Sequence, residues 1–457
     1  MIFRQYYLGC LSHASYLIGD ETSGRAVVVD PQRDIDGYVD DAAAAGLTIE
    51  RVIETHFHAD FVSGHLELAD RTGAAISFGP GAAADFPIEN LAHGQRLAIG
   101  DVEVEVRATP GHTPESICLV VYEHAGDETP YGVLTGDTLF IGDVGRPDLL
   151  SSAGVTADDL ARDLYRSLHE QLLSLPDETR VFPAHGAGSA CGKNLSTETS
   201  STIGEQRRTN YALSPMPEAE FVAAVTEGQS TAPAYFPFSA HRNREAHALL
   251  GEHDIPPPLG VDELPPAAVV LDCRSPADFA AGHLRGALNV SLEGRFAEFA
   301  GDVIAPDRPI VLVCEPGQEL EARVRLGRIG FDNVAGVLDE AVAVFQQRPE
   351  LVERSSRLTV EGLRQRMADT SGLCVVDVRN RGELLAGAIP GATHIALPQL
   401  LARMPELDPG RPTVVYCAGG ARSMIAASAL AAAGFTDVSD LLGGYNAWSA
   451  AATPSAS

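Results

Sequence analysis

The sequence predicts an α/β protein built from three domains, and three observations support that prediction. The chain has 457 residues, which is about three times the length of a typical domain. Strand-like and helix-like runs alternate along its first half, and one segment of its second half occurs twice. Apolar residues make up 45% of the chain, which is enough for ordinary buried cores and excludes a disordered protein.

The elements of the first domain are predicted in chain order. Two short strands come first, within residues 1–19. Further strands are predicted at 26–30, 102–108, 117–122 and 132–135, and helices at 35–45 and 156–173. The proline run at 255–259 predicts a stiff extended linker. We therefore expect the first domain to occupy residues 1–256.

The second and third domains are copies of one another. VVLDCRSPADFAAGHLRGALNVSL at 269–292 matches CVVDVRNRGELLAGAIPGATHIAL at 374–397. Each copy begins with a buried strand and has a second strand that ends at a cysteine, Cys314 or Cys417, before a helix. Alternating strands and helices predict a parallel sheet in each copy. The expected boundaries are 257–350 and 355–452.

The charge balance restricts the kinds of partner. There are 33 Lys and Arg residues against 62 Asp and Glu residues, a formal net charge of −29. A surface this acidic repels phosphates, so we expect neither a nucleic acid nor a membrane as partner. The seven cysteines include no CxxC pair, and the N-terminus lacks the pattern of a signal peptide, so a cytoplasmic protein is expected.

A cluster of metal-ligand residue types lies in four loops of the first domain. His56, His58 and Asp60 follow the apolar run at 51–54, and three further residues each follow a strand-like run in a loop with Gly or Pro, namely His112, Asp137 and His185. A single loop histidine is most often solvated. Imidazoles and a carboxylate in four such loops together predict a metal site.

These four motifs, in this order, resemble the metallo-β-lactamase superfamily, which implies an αββα sandwich for the first domain. The wording THFHADFVSGH and GDTLFIGDVGRPDL is similar to the persulfide dioxygenase branch. That resemblance implies one Fe(II) per chain, held by His56, His112 and Asp137, with zinc as the ion expected after mismetallation. His58, Asp60 and His185 are then expected to orient the ligands or water.

The sequence departs from the two-metal members of the superfamily at Phe61, where those members have a histidine. A phenyl ring has no lone pair to donate, so the second metal position loses a ligand and gains an apolar wall. A single ion is therefore favoured. Two histidines and one carboxylate are the ligand set typical of non-haem Fe(II), which keeps open positions for dioxygen and a substrate.

Three residues after the ligand motifs are candidates for substrate contact. Arg146, in Gly-Arg-Pro, is expected to hold an anionic substrate tail, and a surface salt bridge is the alternative. Cys191 and Lys193 lie in the Gly-rich segment 185–211, which we expect at the mouth of the metal site. Resemblance to fusion enzymes of the same branch implies that Cys191 carries a persulfide, and an inert buried thiol is the alternative.

Cys417 begins the loop Cys-Ala-Gly-Gly-Ala-Arg422-Ser423, which resembles the active loop of rhodanese sulfurtransferases. The Gly pair allows several N–H groups to face the sulfur, and the following helix adds its positive end. Arg422 is expected to bind sulfite or thiosulfate with its planar guanidinium. A phosphatase loop is the rival interpretation, but its Cys-x5-Arg spacing is one residue longer.

The middle copy departs from this pattern. Glu319 stands in place of the Arg and Leu320 in place of the Ser, so a carboxylate occupies the place where an anion would dock. We expect a rhodanese relic with a packing or docking role, despite the retained Cys314. Cys273 and Cys374, in or beside buried strands, are expected to be structural.

Together the resemblances imply an iron persulfide dioxygenase coupled to a sulfurtransferase. It would oxidise a low-molecular-weight thiol persulfide with O2 to sulfite, and combine sulfite with sulfane sulfur to give thiosulfate in sulfide detoxification. A homo-oligomer is expected because relatives commonly associate. Two alternatives stay open: a zinc-dependent thioester hydrolase of the glyoxalase II type, and a non-catalytic sulfur-relay or sensor protein.

Overall fold

The structure is a computed structural model that describes residues 1–149 and 154–452. Contacts divide the chain into two units. The first contains Met1–Gln229 and Phe236–Leu250, and the second contains Ser230–Tyr235 and the residues from Gly251 onward. No helix among the described residues is both long and apolar enough to cross a membrane.

The first unit contains two six-stranded sheets. Sheet one has the order β1 to β6, with the strands Ile2–Leu8, His13–Asp20, Arg25–Val29, Thr48–Ile53, Ala75–Phe78 and Glu89–Asn90. Sheet two has the order β12 to β7, and its strands from β7 to β12 are Arg96–Ile99, Val102–Ala108, Ile117–Tyr122, Gly132–Gly136, Arg180–Pro183 and Ser201–Thr202.

Apolar layers explain why the two sheets face each other. One cluster joins Tyr16 and Val27 of sheet one to Val104 and Leu119 of sheet two, and all four side chains are buried. The outer faces are covered by helices, which are α1 Asp36–Ala44, α2 His65–Thr72, α3 Ala157–Arg166, α4 Ile203–Thr209, α5 Glu218–Thr226 and α6 Phe236–Arg242. This is the helix–sheet–sheet–helix sandwich that the sequence predicted.

The second unit contains two five-stranded parallel sheets of matching topology. The middle-copy sheet has the order β13-β18-β17-β14-β16, and the other has the order β20-β24-β23-β21-β22. The strands of the second unit, from β13 to β24, are Pro258–Leu259, Val269–Asp272, His283–Leu284, Leu288–Asn289, Ile310–Val313, Val334–Leu338, Val352–Glu353, Ser356–Leu358, Cys374–Asp377, Thr393–His394, Thr413–Tyr416 and Val438–Leu441. The predicted parallel sheets are thus confirmed.

Helices complete each copy. They are α7 Pro276–Ala281, α8 Phe296–Val303, α9 Glu319–Gly327, α10 Ala341–Gln347, α11 Val360–Asp369, α12 Leu400–Arg403, α13 Ala421–Ala432 and α14 Gly444–Ala452. An Asp-x-Arg pair fixes the equivalent strand ends in both copies, at β14 and β21. Arg379 donates to both carboxylate oxygens of Asp377, and Arg274 does the same to Asp272.

Two sequence predictions needed adjustment. The helix expected at 156–173 is α3 followed by a π-helical segment, Ser167–Leu172, and Thr156 caps its start by accepting a hydrogen bond from the Asp159 amide. The proline run at 255–259 is not a free linker along its whole length. Pro258 and Leu259 pair in parallel with Val337 and Leu338 and so form the edge strand of the middle-copy sheet.

Candidate metal centre and sulfur-transfer loop

The four predicted ligand loops follow β4, β8, β10 and β11, so the two sheets deliver their polar residues to one place. The ligand atoms of His56, His112 and Asp137 all lie within 4.8 Å of one another, and the three side chains are buried. His56 Nε2 is 3.8 Å and His112 Nε2 is 3.5 Å from Asp137 Oδ2. The structure thus brings the three predicted ligands together.

The donor atoms of this triad fit a metal ion. His112 Nδ1 donates to the Arg146 carbonyl at 2.9 Å, which directs the other ring nitrogen toward Asp137. His56 Nε2 and Asp137 Oδ2 are buried without a hydrogen-bond partner among the described residues. Buried polar atoms without partners are costly, and a bound cation would satisfy both.

Electrostatics favour imidazoles that are ready to bind a cation. Burial, reinforced by the neighbouring His58 and His112, lowers the pKa of His56 well below its usual value. Burial also lowers the pKa of His112, although the carboxylate of Asp137 acts in the opposite direction. Both rings are therefore neutral near pH 7, and neutral imidazole is the form that coordinates metals.

His185 lies between two carboxylates behind the triad. Its Nδ1 is 2.7 Å from Asp137 Oδ1 and its Nε2 is 2.7 Å from Asp60 Oδ2. Burial disfavours charge on this ring, but the two carboxylates outweigh burial and raise the pKa of His185 well above its usual value. His185 thereby orients the Asp137 carboxylate.

Phe61 forms an apolar wall on this side of the site. Its ring is buried, with centroids 4.4 Å from the His58 ring and 4.0 Å from the His13 ring. His58 directs Nε2 toward Asp30 Oδ1 at 3.1 Å. The ligand atoms of His58, Asp60 and His185 nevertheless also lie within 4.8 Å of one another, so the first unit contains a second possible ligand group beside the first.

Cys191 lies beside the metal candidate, with its ligand atom within 4.8 Å of those of Asp137 and His185. Its thiol is buried, and burial together with the charges of Asp60 and Asp137 raises its pKa well above the usual value. The sequence signal that found it was the Gly-rich segment directly after the last ligand loop.

Arg146 connects the Asp137 loop to the Cys191 segment. Its guanidinium contacts both carboxylate oxygens of Asp148, at 2.7 and 2.8 Å, and donates to the Ala190 carbonyl at 3.1 Å. Its backbone N–H donates to the Cys191 carbonyl at 2.9 Å. The Arg146 side chain is 3% exposed and that of Asp148 is 31% exposed, so the ion pair is partly buried. Its substrate-binding role stays a prediction.

Lys193, the other predicted substrate contact, directs its ammonium to the carbonyl oxygens of Ala224 and Glu227. The two carbonyls belong to the end of α5 and the residue that follows it. Lys193 therefore contributes to anchoring the Cys191 segment against this helix, and its contact with a substrate stays a prediction.

Asn243, which holds the first ligand loop, was not predicted from the sequence. We name residues 55–63 the histidine loop. Asn243 is buried, donates to the carbonyls of His58 and Phe61 at 2.8 Å each, and accepts from the Ser63 N–H at 2.8 Å. It lies 180 residues from Ser63 in a polar stretch without a motif, so only the fold reveals the contact.

The second candidate site is the Cys417 loop, between β23 and α13 in the third domain. The Gly420 N–H donates to Cys417 Sγ at 3.1 Å, and the Cys417 thiol is 3.7 Å from Ser423 Oγ. Gly420 adopts φ of +108°, which glycine alone tolerates readily, and α13 begins at the next residue. One backbone donor thus contacts the sulfur at the start of a helix, where the sequence predicted several N–H groups.

Arg422 is held by an acidic partner. Its two terminal nitrogens donate to the two carboxylate oxygens of Glu383, each at 2.7 Å. Glu383 lies in the short helical turn after Arg379, whose own guanidinium is held by Asp377. The sequence did not identify Glu383, because an acidic residue in an exposed turn carries no particular signal.

The middle copy packs against α13 of the third domain. Ser428 accepts a hydrogen bond from the Asn289 N–H at 3.0 Å. Met424, the residue after Ser423, is buried in a cluster with Phe279 and Val313 of the middle copy. The predicted packing role of the middle copy therefore has direct contacts in the structure.

Comparison with known proteins agrees with this organisation. A family model of the metallo-beta-lactamase superfamily matches residues 8–185, and a model of the rhodanese-like domain matches residues 261–348 and 359–451. Two mitochondrial proteins named persulfide dioxygenase ETHE1 are similar to the chain. The Bos taurus protein is 31% identical over 251 residues, and the Homo sapiens protein is 30% identical over 249 residues. Each alignment covers 53% of this chain and 87% of the relative.

A solved structure matches more of the chain. The crystal structure of a metallo-beta-lactamase from Staphylococcus aureus subsp. aureus COL is 33% identical, with a TM-score of 0.68. The match covers 74% of this chain and 98% of that chain. The similarity therefore extends past the first unit.

Proposed function

The chain belongs to the metallo-beta-lactamase superfamily, with persulfide dioxygenases among its relatives and two rhodanese-like domains after the metallo-beta-lactamase domain, and from this premise we propose that it is a non-haem iron persulfide dioxygenase coupled to a sulfurtransferase. The observation that carries the proposal is the buried triad of His56, His112 and Asp137, in which the ligand atoms converge and those of His56 and Asp137 have no hydrogen-bond partner in the described part of the chain. When bound there, Fe(II) supplies the redox chemistry that joins dioxygen to a sulfane sulfur.

The protein's own residues prepare the site for this reaction. The Arg146 carbonyl and Thr55 Oγ1 contact the Nδ1 atoms of His112 and His56, which fixes the ring orientations. His185 holds Asp137. Phe61 excludes water from one side and offers no ligand atom. The overall reaction is RSSH + O2 + H2O → RSH + H2SO3, in which R is a low-molecular-weight thiol carrier.

Cys417 is the proposed site of the second reaction. A persulfide on Cys417 transfers its outer sulfur to sulfite, which leaves as thiosulfate and restores the thiol. The Gly420 N–H stabilises negative charge on the sulfur. Both sites belong to one chain, so the molecule that makes sulfite also carries the cysteine that would consume it. The proposed domains are residues 1–256, 257–350 and 355–452, in a cytoplasmic homo-oligomer.

Two assays on iron-loaded protein test the proposal. Dioxygen uptake and sulfite release are measured with glutathione persulfide for wild type, for His112→Ala and for a control, His93→Ala. His93 accepts from the Ala108 amide outside the ligand group, so this variant should retain turnover. Loss in His112→Ala alone supports the proposal. No dioxygen uptake by iron-loaded wild type refutes it.

The second reaction is tested at Cys417. Cys417→Ser should retain dioxygen uptake and sulfite release but lose thiosulfate formation. Cys374→Ser is the matched control, because Cys374 is a half-buried cysteine of the same domain that lies on β21. An unchanged thiosulfate yield in Cys417→Ser would exclude this residue from the mechanism.

A second candidate function, a two-metal thioester hydrolase of the glyoxalase II type, is favoured by the group His58, Asp60 and His185. It predicts two zinc ions per chain and thioester cleavage without dioxygen. Our proposal predicts about one iron per chain. Metal analysis of the purified protein separates the two. A sulfur-relay protein without turnover would instead carry persulfide on Cys191 or Cys417 and consume no dioxygen.

A further inference from the structure

The middle copy contains two neighbouring thiols that its proposed packing role does not use. Cys273 directly follows β14 and Cys314 directly follows β17, and these are adjacent parallel strands in which Asp272 pairs with Val313. The Cys273 N–H donates to the Val313 carbonyl at 2.8 Å. Both cysteines therefore leave the same edge of the sheet, at neighbouring positions directly after the paired residues Asp272 and Val313.

The third domain has no such pair. Val378 occupies the position of Cys273, and its N–H donates to the Tyr416 carbonyl at 3.0 Å in the same way. The sulfur-transfer cysteine, Cys417, therefore has an apolar neighbour where Cys314 has a thiol. The two copies differ at this position and at the loop arginine, so the middle copy has lost an anion-binding group and has a second thiol.

The two thiols of the middle copy differ in accessibility. Cys314 is partly exposed and is followed by the exposed residues 315–317, whereas Cys273 is 3% exposed. Burial, followed by the contact with Cys314, raises the pKa of Cys273 well above its usual value. An incoming sulfur compound therefore reaches Cys314 before it reaches Cys273.

The loop around Cys314 is unsuited to oxyanions. The Gly317 N–H, which corresponds to the Gly420 N–H of the third domain, donates to Glu319 Oε1 at 3.1 Å and not to a cysteine sulfur. The carboxylate thus occupies a backbone donor and adds negative charge at the loop. Thiosulfate and sulfite are disfavoured here, and a thiol persulfide remains as a suitable sulfur donor.

We propose that Cys314 and Cys273 form a persulfide-responsive dithiol site, in which Cys314 accepts a sulfane sulfur and Cys273 displaces it. In the first step the Cys314 thiolate attacks the outer sulfur of a low-molecular-weight persulfide, RSSH, and the thiolate RS⁻ leaves and takes a proton from water. In the second step Cys273 attacks the inner sulfur, that of Cys314. The Cys273–Cys314 disulfide forms and hydrosulfide leaves with the proton that Cys273 loses.

The electron balance of these steps is closed. The sulfane sulfur is reduced to hydrogen sulfide, and the two cysteine thiols are oxidised to the disulfide. A low-molecular-weight thiol reductant returns the site to its dithiol form. An excess of persulfide would thus convert the site from the dithiol to the disulfide, and no sulfur would be transferred to sulfite. Neither step uses the iron site or Cys417, so the inference is independent of the proposed function.

Peptide mapping of the full-length chain tests the inference. Trypsin leaves Cys273 in the peptide 245–274 and Cys314 in the peptide 296–323, and each peptide has no other cysteine. Protein in the Cys417→Ser background is incubated without oxygen with glutathione persulfide, then alkylated and digested without reductant. The two peptides should be joined by a disulfide in most chains, with release of hydrogen sulfide, and thiosulfate should not produce this link.

Two variants make the outcome decisive. Cys273→Val copies the residue of the third domain, and it should leave Cys314 as an alkylated persulfide with no link. Val378→Cys, in a chain that retains Cys417, should create an equivalent link to Cys417. The inference is overturned if the Cys417→Ser protein, with Cys273 and Cys314 intact, keeps a persulfide on Cys314, or leaves Cys314 unmodified, without the disulfide. It is equally overturned if thiosulfate produces the link as readily as the persulfide.

Discussion

Replacing Phe61 by histidine should raise the metal content from the proposed one ion per chain to two. Phe61 lies beside Asp60 in the histidine loop, and its ring contacts the His58 ring at 4.4 Å between centroids. Asp60 and His185 already form a close pair at 2.7 Å, and His185 contacts Asp137. An imidazole at position 61 would therefore add a nitrogen ligand to a group that already offers carboxylate and imidazole donors.

The size of the effect follows from the free energy per ligand. Structural zinc sites with four ligands bind with about 10–16 kcal/mol, so each ligand contributes roughly 2.5–4 kcal/mol. One added ligand should lower the Kd of a second ion by about a hundredfold or more. In metal-free protein the same change removes a buried phenyl ring and buries a polar one. That costs about 2–4 kcal/mol and lowers the Tm of the transition by roughly 5–15 °C.

Equilibrium dialysis against zinc, with metal quantified by mass spectrometry, measures the stoichiometry. Phe61→Leu is the matched control, because leucine keeps an apolar side chain and adds no ligand atom. Wild type and Phe61→Leu should bind about one ion tightly, and Phe61→His about two. Two tightly bound ions in wild type, or no difference between the two variants, would show that Phe61 does not decide the metal count.

Three further predictions concern residues outside the metal triad. Burial raises the pKa of Asp302 to about 7, although the Ala234 N–H bond opposes this shift, so folding takes up a proton. Its contribution is full below the ordinary carboxyl pKa of about 4 and is lost as pH rises through about 7. Asp302→Asn should therefore flatten the fall in the urea midpoint of the second unit between about pH 4 and about pH 7. Asn243→Ala should destabilise the protein by about 2–4 kcal/mol, because three buried backbone groups lose their hydrogen-bond partner. The same variant should retain less metal in dialysis. An unchanged metal content would contradict this role of Asn243. Arg422→Lys should lower kcat/KM for thiosulfate, followed as thiocyanate formation, by about tenfold or more, because lysine cannot make the paired contact with Glu383.

Local patterns predicted most of the architecture. Strands at 102–108 and 117–122 agree with β8 and β9, because their apolar residues form uninterrupted or alternating runs. The duplication predicted two parallel sheets, since it preserved the strand–loop–helix order around both cysteines. The ligand loops were recognisable because their histidine and aspartate residues come soon after strands. Sites in α/β sheets commonly form at the carboxyl ends of the strands.

Contacts between distant segments could not be predicted in this way. Asn243 holds the histidine loop from 180 residues away, and Glu383 holds Arg422 from 39 residues away. Neither residue belongs to a periodic pattern or a motif. The hydrogen-bond partners of Arg146 and Lys193 could not be predicted either, because a sequence shows that a residue is a cation but does not show which carbonyl and carboxylate groups surround it.

The hold of Asn243 on the histidine loop has a practical meaning for dissecting this protein. The match to the metallo-beta-lactamase family model ends at residue 185, yet the segment Phe236–Leu250 returns to the first unit. Leu250 itself donates its N–H to Glu67 at 3.0 Å, on the helix just after that loop. A recombinant fragment that contains only the recognisable motifs would lack the hydrogen bonds made by Asn243 and Leu250. Its metal content would reflect the loss of these bonds and not the properties of the native centre.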